Sequence, residues 1–244
     1  MEKILKTKTP HKISLKNSPC AFLYEQQQWQ KGAYVCGIDE VGRGCLAGPV
    51  ITCAVILHPF ATHCLLKDSK ILTETQRLTA AQWIIKNSWY AFGIQSAQCV
   101  DRYNIYQATK IAMKQALFGL LSQSPKRTAK TKLVLIDAMP LEPFLIYPEL
   151  EILSFPFGES RSISIAAASI LAKVKRDSFL KRLSFLFPHY ELQNNKGYGT
   201  ASHQKALKDQ GPSLIHRTTF IKGAEHESAS SIESNQSQQK SLFC

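Results

Sequence analysis

Short, continuous apolar runs alternate along the chain with longer segments in which apolar residues recur at helical spacing. Residues 33–39 and 49–57 are runs of strand length on either side of a glycine-rich turn, and residues 89–95, 132–136 and 151–155 read as three further strands. The fourth of these five ends at Asp137. Residues 74–88 put Leu78, Ala81, Trp83 and Ile84 on one helical face, and residues 105–121 do the same for Ile105, Ala108, Ile111, Ala112, Leu117 and Leu120. Residues 162–186 predict a long helix in which Ala166, Ala167 and Ala168 allow close packing on a sheet. Strands alternating with helices imply an α/β layered fold.

All of this periodicity falls within residues 33–223, the expected folded domain, and 244 residues with 44% hydrophobic content suit one ample core. Residues 1–32 show no clear period and read as a basic, loosely ordered lead-in, with the segment Phe22-Leu23-Tyr24 able to pack on the domain. Residues 224–244 are rich in Ser, Gln and Glu, nearly devoid of apolar residues before Leu242 and Phe243, and predict a disordered tail.

Charge narrows the partner. Thirty Lys and Arg against 18 Asp and Glu give a formal net charge of +12 and a pI near 9.4, which favours a polyanion, nucleic acid first, although a merely soluble cationic protein has the same balance. Seven cysteines with no C-x-x-C pair suit a reducing cytoplasm. Residues 1–16 hold no apolar run long enough for a signal peptide or membrane span, so a soluble, cytoplasmic protein is expected; it is separately expected to be a monomer.

The densest chemistry lies in Gly37-Ile38-Asp39-Glu40-Val41-Gly42-Arg43-Gly44. Two carboxylates offer hard oxygen ligands, and Arg43 between glycines offers a donor fork suited to phosphate. In a regular strand Asp39 and Glu40 point to opposite faces, so both serve one site only if the strand ends there. A surface turn with acid and base paired to each other is the alternative. Asp137 sits at the C-terminal end of its strand, where open α/β sheets carry their chemistry. Glu159 precedes the long helix, whose dipole favours a negative charge. Four converging carboxylates would repel one another unless cations neutralise them, and oxygen ligands suit Mg²⁺ or Mn²⁺. Two such ions about 3.5–4 Å apart can stabilise both oxygens exchanged in phosphodiester hydrolysis.

The segments around Asp39, Asp68, Asp137, Ser160 and Tyr198 closely resemble type II ribonuclease H, over about residues 37–220. The matching pieces are the Gly37 to Gly44 motif, Asp68-Ser69-Lys70, the strand ending in Asp137, the run from Ser164 to Val174, and Lys196-Gly197-Tyr198-Gly199-Thr200 with His203. The resemblance implies a ribonuclease H-like fold, a mixed central sheet flanked by helices with a further helical portion toward the C-terminus. It implies cleavage of RNA in RNA:DNA hybrids and incision 5′ to ribonucleotides embedded in duplex DNA, leaving a 3′-hydroxyl and a 5′-phosphate. Asp39, Glu40 and Asp137 match three of the family's metal ligands. Glu159 stands where bacterial type II enzymes commonly have Asp, and sister type III enzymes use Glu. Gly42, Arg43 and Gly44, with Tyr198, are implied to sense the ribose 2′-hydroxyl.

Ser69, Lys70 and Lys173 complete the expected substrate contacts, the lysines as phosphate ligands. His203, one turn into a helix beginning near Thr200, suits a structural or substrate-backbone role, and Asp177 with Lys181 reads as a helix ion pair. The ending Gln239-Lys240-Ser241-Leu242-Phe243-Cys244 resembles the peptide by which bacterial replication proteins dock on the sliding clamp, with Gln239, Leu242 and Phe243 as anchors. A type III-like enzyme needing several consecutive ribonucleotides, or a nucleic-acid-binding protein without catalysis, are the competing readings.

Overall fold

The computed structural model describes residues 22–141 and 149–221. Strands β1 (Tyr34–Val41), β2 (Val50–Leu57), β3 (Ser88–Gln95), β4 (Thr131–Asp137) and β5 (Glu151–Phe155) form one sheet in the order β3-β2-β1-β4-β5. β2 is antiparallel to both neighbours, whereas β1, β4 and β5 run parallel, so the sheet is mixed, as expected. Helices α1 (Leu23–Gln30), α2 (Glu74–Lys86), α3 (Ala97–Leu121), α4 (Pro125–Lys130), α5 (Ile163–Leu186), α6 (Leu192–Asn195) and α7 (Ala201–Gln210) surround it.

Strand alternation sorts the core into two layers. Cys36 and Ile38 of β1, with Ala54 and Ile56 of β2, pack under Met113, Leu117 and Leu120 of α3. Cys53, Val55 and Leu57 face the other way, onto Ala81 and Ile84 of α2 and Ala167 and Leu171 of α5. Helix α5 lies close to the sheet. A β-carbon built on Gly37 would stand 2.1 Å from the carbonyl carbon of Ser164, so only glycine lets this helix settle on β1.

Several expectations need correction. The described part of the stretch read as a loosely ordered lead-in contains α1, whose Trp29 enters the core and whose Glu25 is fully buried, while Tyr24 stacks on Phe155, the packing expected of the segment from Phe22 to Tyr24. Helix α3 begins at Ala97, eight residues before the expected start. Asn104 breaks it with φ 64° and ψ 165°, and its side chain accepts a hydrogen bond from the Gln107 amide, restarting the helix where the apolar period begins. Leu78 and Ile111, placed on apolar faces by spacing, are exposed, because α2 and α3 rest on their small residues Ala80, Ala81, Ala108 and Ala112 instead. The C-terminal helical portion is α6 and α7, with Tyr190 and Leu192 packing on Ala47.

Candidate active site

β1 leaves its ladder with β4 at Ile38 but stays paired with β2 through Val41. The strand therefore does not end at Asp39 and Glu40, contrary to expectation. The open flank on the β4 side lets both side chains reach one cavity of about 260 Å³, which Asp137, Glu159, Ser69, Lys70, Lys173 and Tyr198 also line. Every expected metal ligand and four of the seven expected substrate contacts thus converge. Gly42, Arg43 and Gly44 adjoin the cavity just past Val41 rather than lining it. Gln239, Leu242 and Phe243 lie outside the described residues.

Each acid is held by a nearby donor. Asp39 Oδ1 accepts from the Glu40 amide at 2.7 Å, and Asp137 Oδ1 accepts from the Gly158 amide at 2.8 Å. Glu40 pairs with Arg43 at 3.3 Å, so the arginine expected to meet phosphate is turned toward the acid, as in the alternative reading of that motif. Glu159 Oε1 accepts from Ser169, whose own oxygen accepts from Ser69 at 2.9 Å, and Glu159 Oε2 lies 3.8 Å from Lys70 Nζ. The Ser69 hydroxyl is thereby committed to Ser169. Ser169 and Arg77 line the cavity unforeseen; Arg77 donates to the Ser69 and Leu72 carbonyls and holds the Asp68-Ser69-Lys70 turn.

The place expected for Glu159, at the start of the long helix, belongs to Glu25. Its carboxylate accepts from the Ser164 amide at 3.0 Å and from the Ser162 hydroxyl, while Glu159 sits on a separate 3₁₀ turn, Gly158–Ser160. Lys173 is paired with Asp177 at 2.9 Å, one turn before the expected Asp177 and Lys181 pair.

Electrostatics mark this cluster as unfinished. Burial, then the charges of Glu40 and Glu159, push Asp39 well above the usual carboxylate range. Burial also raises Glu40 against the pull of Arg43, and raises Glu159 against Ser169 and Lys70. Lys70 is raised in turn by Glu159. Glu40 Oε2 is buried with no hydrogen-bond partner, a costly arrangement that a bound cation relieves. Among the described residues no three such groups are drawn together tightly enough to form a ready coordination sphere. The carboxylates are held instead by Arg43, the amides of Glu40 and Gly158, and Ser169. The donor set, four hard oxygen side chains around one cavity, fits divalent cations.

Two buried arginines, Arg176 of α5 and Arg217 after α7, pass beneath the turn between β1 and β2 and donate to its carbonyl oxygens. Backbone bonds staple that turn to the Tyr198 segment: the Leu46 and Ala47 amides both donate to the Gly197 carbonyl, at 2.9 and 3.2 Å. His203 is fully buried, its Nδ1 2.8 Å from the Tyr198 carbonyl and its Nε2 3.0 Å from His216 Nε2, which favours the structural one of its two expected roles.

The ribonuclease HII family model matches residues 36–223. Ribonuclease HII of Lactobacillus acidophilus is 44% identical over 200 residues, covering 82% of this chain and 75% of its own. Among solved structures, the PCNA:RNase HII complex from Archaeoglobus fulgidus aligns with a TM-score of 0.60 at 22% identity, over 76% of this chain and 94% of that one. Bst-RNase HIII in complex with Mn²⁺ aligns with a TM-score of 0.60 at 19% identity, over 82% and 72%. At such identities the structures speak for the ribonuclease H-like fold, while the sequence matches speak for kinship. The four acids, the mixed sheet and these relatives lead to one conclusion: the chain belongs to the ribonuclease HII family and is a ribonuclease H enzyme.

Proposed function

We propose that the enzyme hydrolyses RNA in RNA:DNA hybrids and incises duplex DNA on the 5′ side of an embedded ribonucleotide, leaving a 3′-hydroxyl and a 5′-phosphate. The observation that carries this reading is the convergence of Asp39, Glu40, Asp137 and Glu159 on one cavity rimmed by Lys70, Lys173 and Tyr198. Two divalent ions, Mg²⁺ or Mn²⁺, held by those four acids when bound, would activate water and stabilise the leaving oxygen. Asp39 and Asp137 suit ligands shared between two ions, and Glu40 and Glu159 suit completing the shells. The Mn²⁺ in the Bst-RNase HIII structure supports this choice of cation.

Lys70 and Lys173 bind phosphates flanking the cleavage point, making affinity salt-dependent. Tyr198 is 42% exposed at the cavity edge, free to lay its ring on a sugar and its hydroxyl near a ribose oxygen. Gly44 is exposed with open space where a β-carbon would stand, so backbone there can approach a 2′-hydroxyl. Residues 239–243 would tether the enzyme to a sliding clamp, in keeping with the PCNA complex of the Archaeoglobus fulgidus relative. A chain ending at Gln238 should then lose clamp binding while keeping incision activity.

The decisive assay offers three labelled duplexes: all DNA, one ribonucleotide, and four consecutive ribonucleotides. Incision of the second at the 5′ side of the ribonucleotide is expected. Cleavage of the four-ribonucleotide duplex alone would replace this reading with the type III-like one.

A further inference from the structure

Arg176 and Arg217 are both fully buried, yet among the described residues neither forms an ion pair with a carboxylate. Arg176 donates from Nε to the Pro49 carbonyl at 3.0 Å, from Nη2 to Ala47 at 2.9 Å and from Nη1 to Lys196 at 2.8 Å. Arg217 donates to the carbonyls of Gly42 at 2.7 Å, Arg43 at 2.8 Å and Gly48 at 2.9 Å. Asp101 exerts some attraction on Arg217, but its oxygens are occupied by the amides and hydroxyls of Thr218 and Thr219. Burial pushes Arg217 down to about 10, which leaves it cationic at neutral pH.

Burying a charge without a counter-charge is costly. Neutral side chains could hold a turn at less expense, so the fold alone does not account for two guanidiniums. Their placement does. Arg176 bridges Ala47 in one loop and Lys196 in the other, two residues before Tyr198, and so sets the gap between the two segments. A β-carbon on Gly42 would lie 2.2 Å from Arg176 Nε, and one on Gly197 would lie 2.4 Å from the Ala47 oxygen and 3.3 Å from Arg176 Nη2, so the turn closes onto the cation and the Tyr198 segment onto the turn. A carbonyl that accepts from a cation polarises its peptide unit and makes the N–H on the far side a stronger donor. Both charges also lie beneath the surface that a polyanion approaches.

We propose that Arg176 and Arg217 are specificity-determining positioning residues: Arg176 fixes the spacing between the turn that carries Gly42-Arg43-Gly44 and the Tyr198 segment, and Arg217 strengthens the Arg43 and Gly44 amides that read the ribose 2′-hydroxyl. They act through the loop and do not touch substrate. The inference rests on the reading that this loop and Tyr198 sense ribose.

The test compares kcat and KM of the unmutated enzyme, Arg217→Lys, Arg217→Gln and Arg176→Lys on the one-ribonucleotide and four-ribonucleotide duplexes, with thermal unfolding measured in parallel. Folded variants should lose tenfold or more in kcat/KM on the single ribonucleotide and less than threefold on the run of four, with Arg217→Lys retaining more than Arg217→Gln. Equal losses on both duplexes, or none, overturn the proposal. An unmutated enzyme that does not incise at the single ribonucleotide overturns the functional reading itself, which separates the two failures. Where variants do not fold, the Nε–H resonances of both arginines in the Asp137→Asn protein with Mg²⁺ decide. They should shift with the one-ribonucleotide duplex and not with the all-DNA duplex; the same response to both overturns the proposal.

Discussion

Gly37 meets the first turn of α5 at Ser164 with no space between them for a side chain. That contact seats α5 against β1, and five and nine residues beyond Ser164 along the helix Ser169 and Lys173 reach the cavity from it. The depth of the active site therefore depends on a missing methyl group in a strand. Gly37→Ala puts a carbon against backbone that cannot swing aside, with an expected loss of about 3 kcal/mol or more by denaturant unfolding. A loss under about 1 kcal/mol would show that α5 can slide.

Ser169 is the donor that holds Glu159 in the cavity. Removing an outer partner of a metal ligand commonly lowers metal affinity about 10–100-fold. Ser169→Ala should therefore raise the metal concentration for half-maximal cleavage about tenfold while leaving the maximal rate within a few-fold, as read from metal titrations of activity. Glu159→Asp, whose shorter chain retreats from Ser169, should move the same midpoint in the same direction.

Asp39 is held protonated more readily in the folded chain than in the unfolded one, by burial and by Glu40 and Glu159. A raised carboxylate supports stability below its unfolded value and withdraws that support as pH rises through its folded value. At neutral pH the metal-free protein is thus strained at this point, and Asp39→Asn should raise its Tm by about 2–4 °C while abolishing cleavage. Adding Mn²⁺ should stabilise the unmutated protein more than the variant.

The His203 and His216 pair responds to pH with the opposite sign. The Tyr198 carbonyl requires a proton on His203 Nδ1, and the Ser213 amide, 3.0 Å from His216 Nδ1, requires that nitrogen bare. His216 Nε2–H must then donate to His203, with both rings neutral. Burial lowers both groups, His216 to about 4 with help from the His203 charge. A depressed histidine contributes stability above its unfolded value, about 6.5, and loses it as pH falls through the folded value. The Tm of the unmutated protein relative to His216→Asn should therefore shrink between about pH 6.5 and 4. A constant difference would mean that the pair is not neutral.

The sheet and the place of its acids were largely legible because apolar strand runs, and carboxylates at or near their ends, are local signals. The apolar runs ending near Asp39 and Asp137 sit within two residues of the observed strands. What escaped depends on distant contacts: Glu25 capping α5 is 139 residues from Ser164 along the chain. Arg217 reaches a carbonyl 175 residues away. Arg176 left a trace, since it falls four residues from both Ala172 and Leu180, on the buried face of α5. Helical period flagged the position, and the charge concealed it.

Single-turnover incision of a duplex carrying one ribonucleotide, with Mg²⁺ or Mn²⁺, by the unmutated enzyme and by Asp137→Asn tests the central claim most directly. The account predicts a cut 5′ to the ribonucleotide by the unmutated protein and a loss of at least about 10³-fold in the variant, given the several kcal/mol of charge stabilisation a bound metal provides. Undiminished cleavage by a folded Asp137→Asn protein would contradict it.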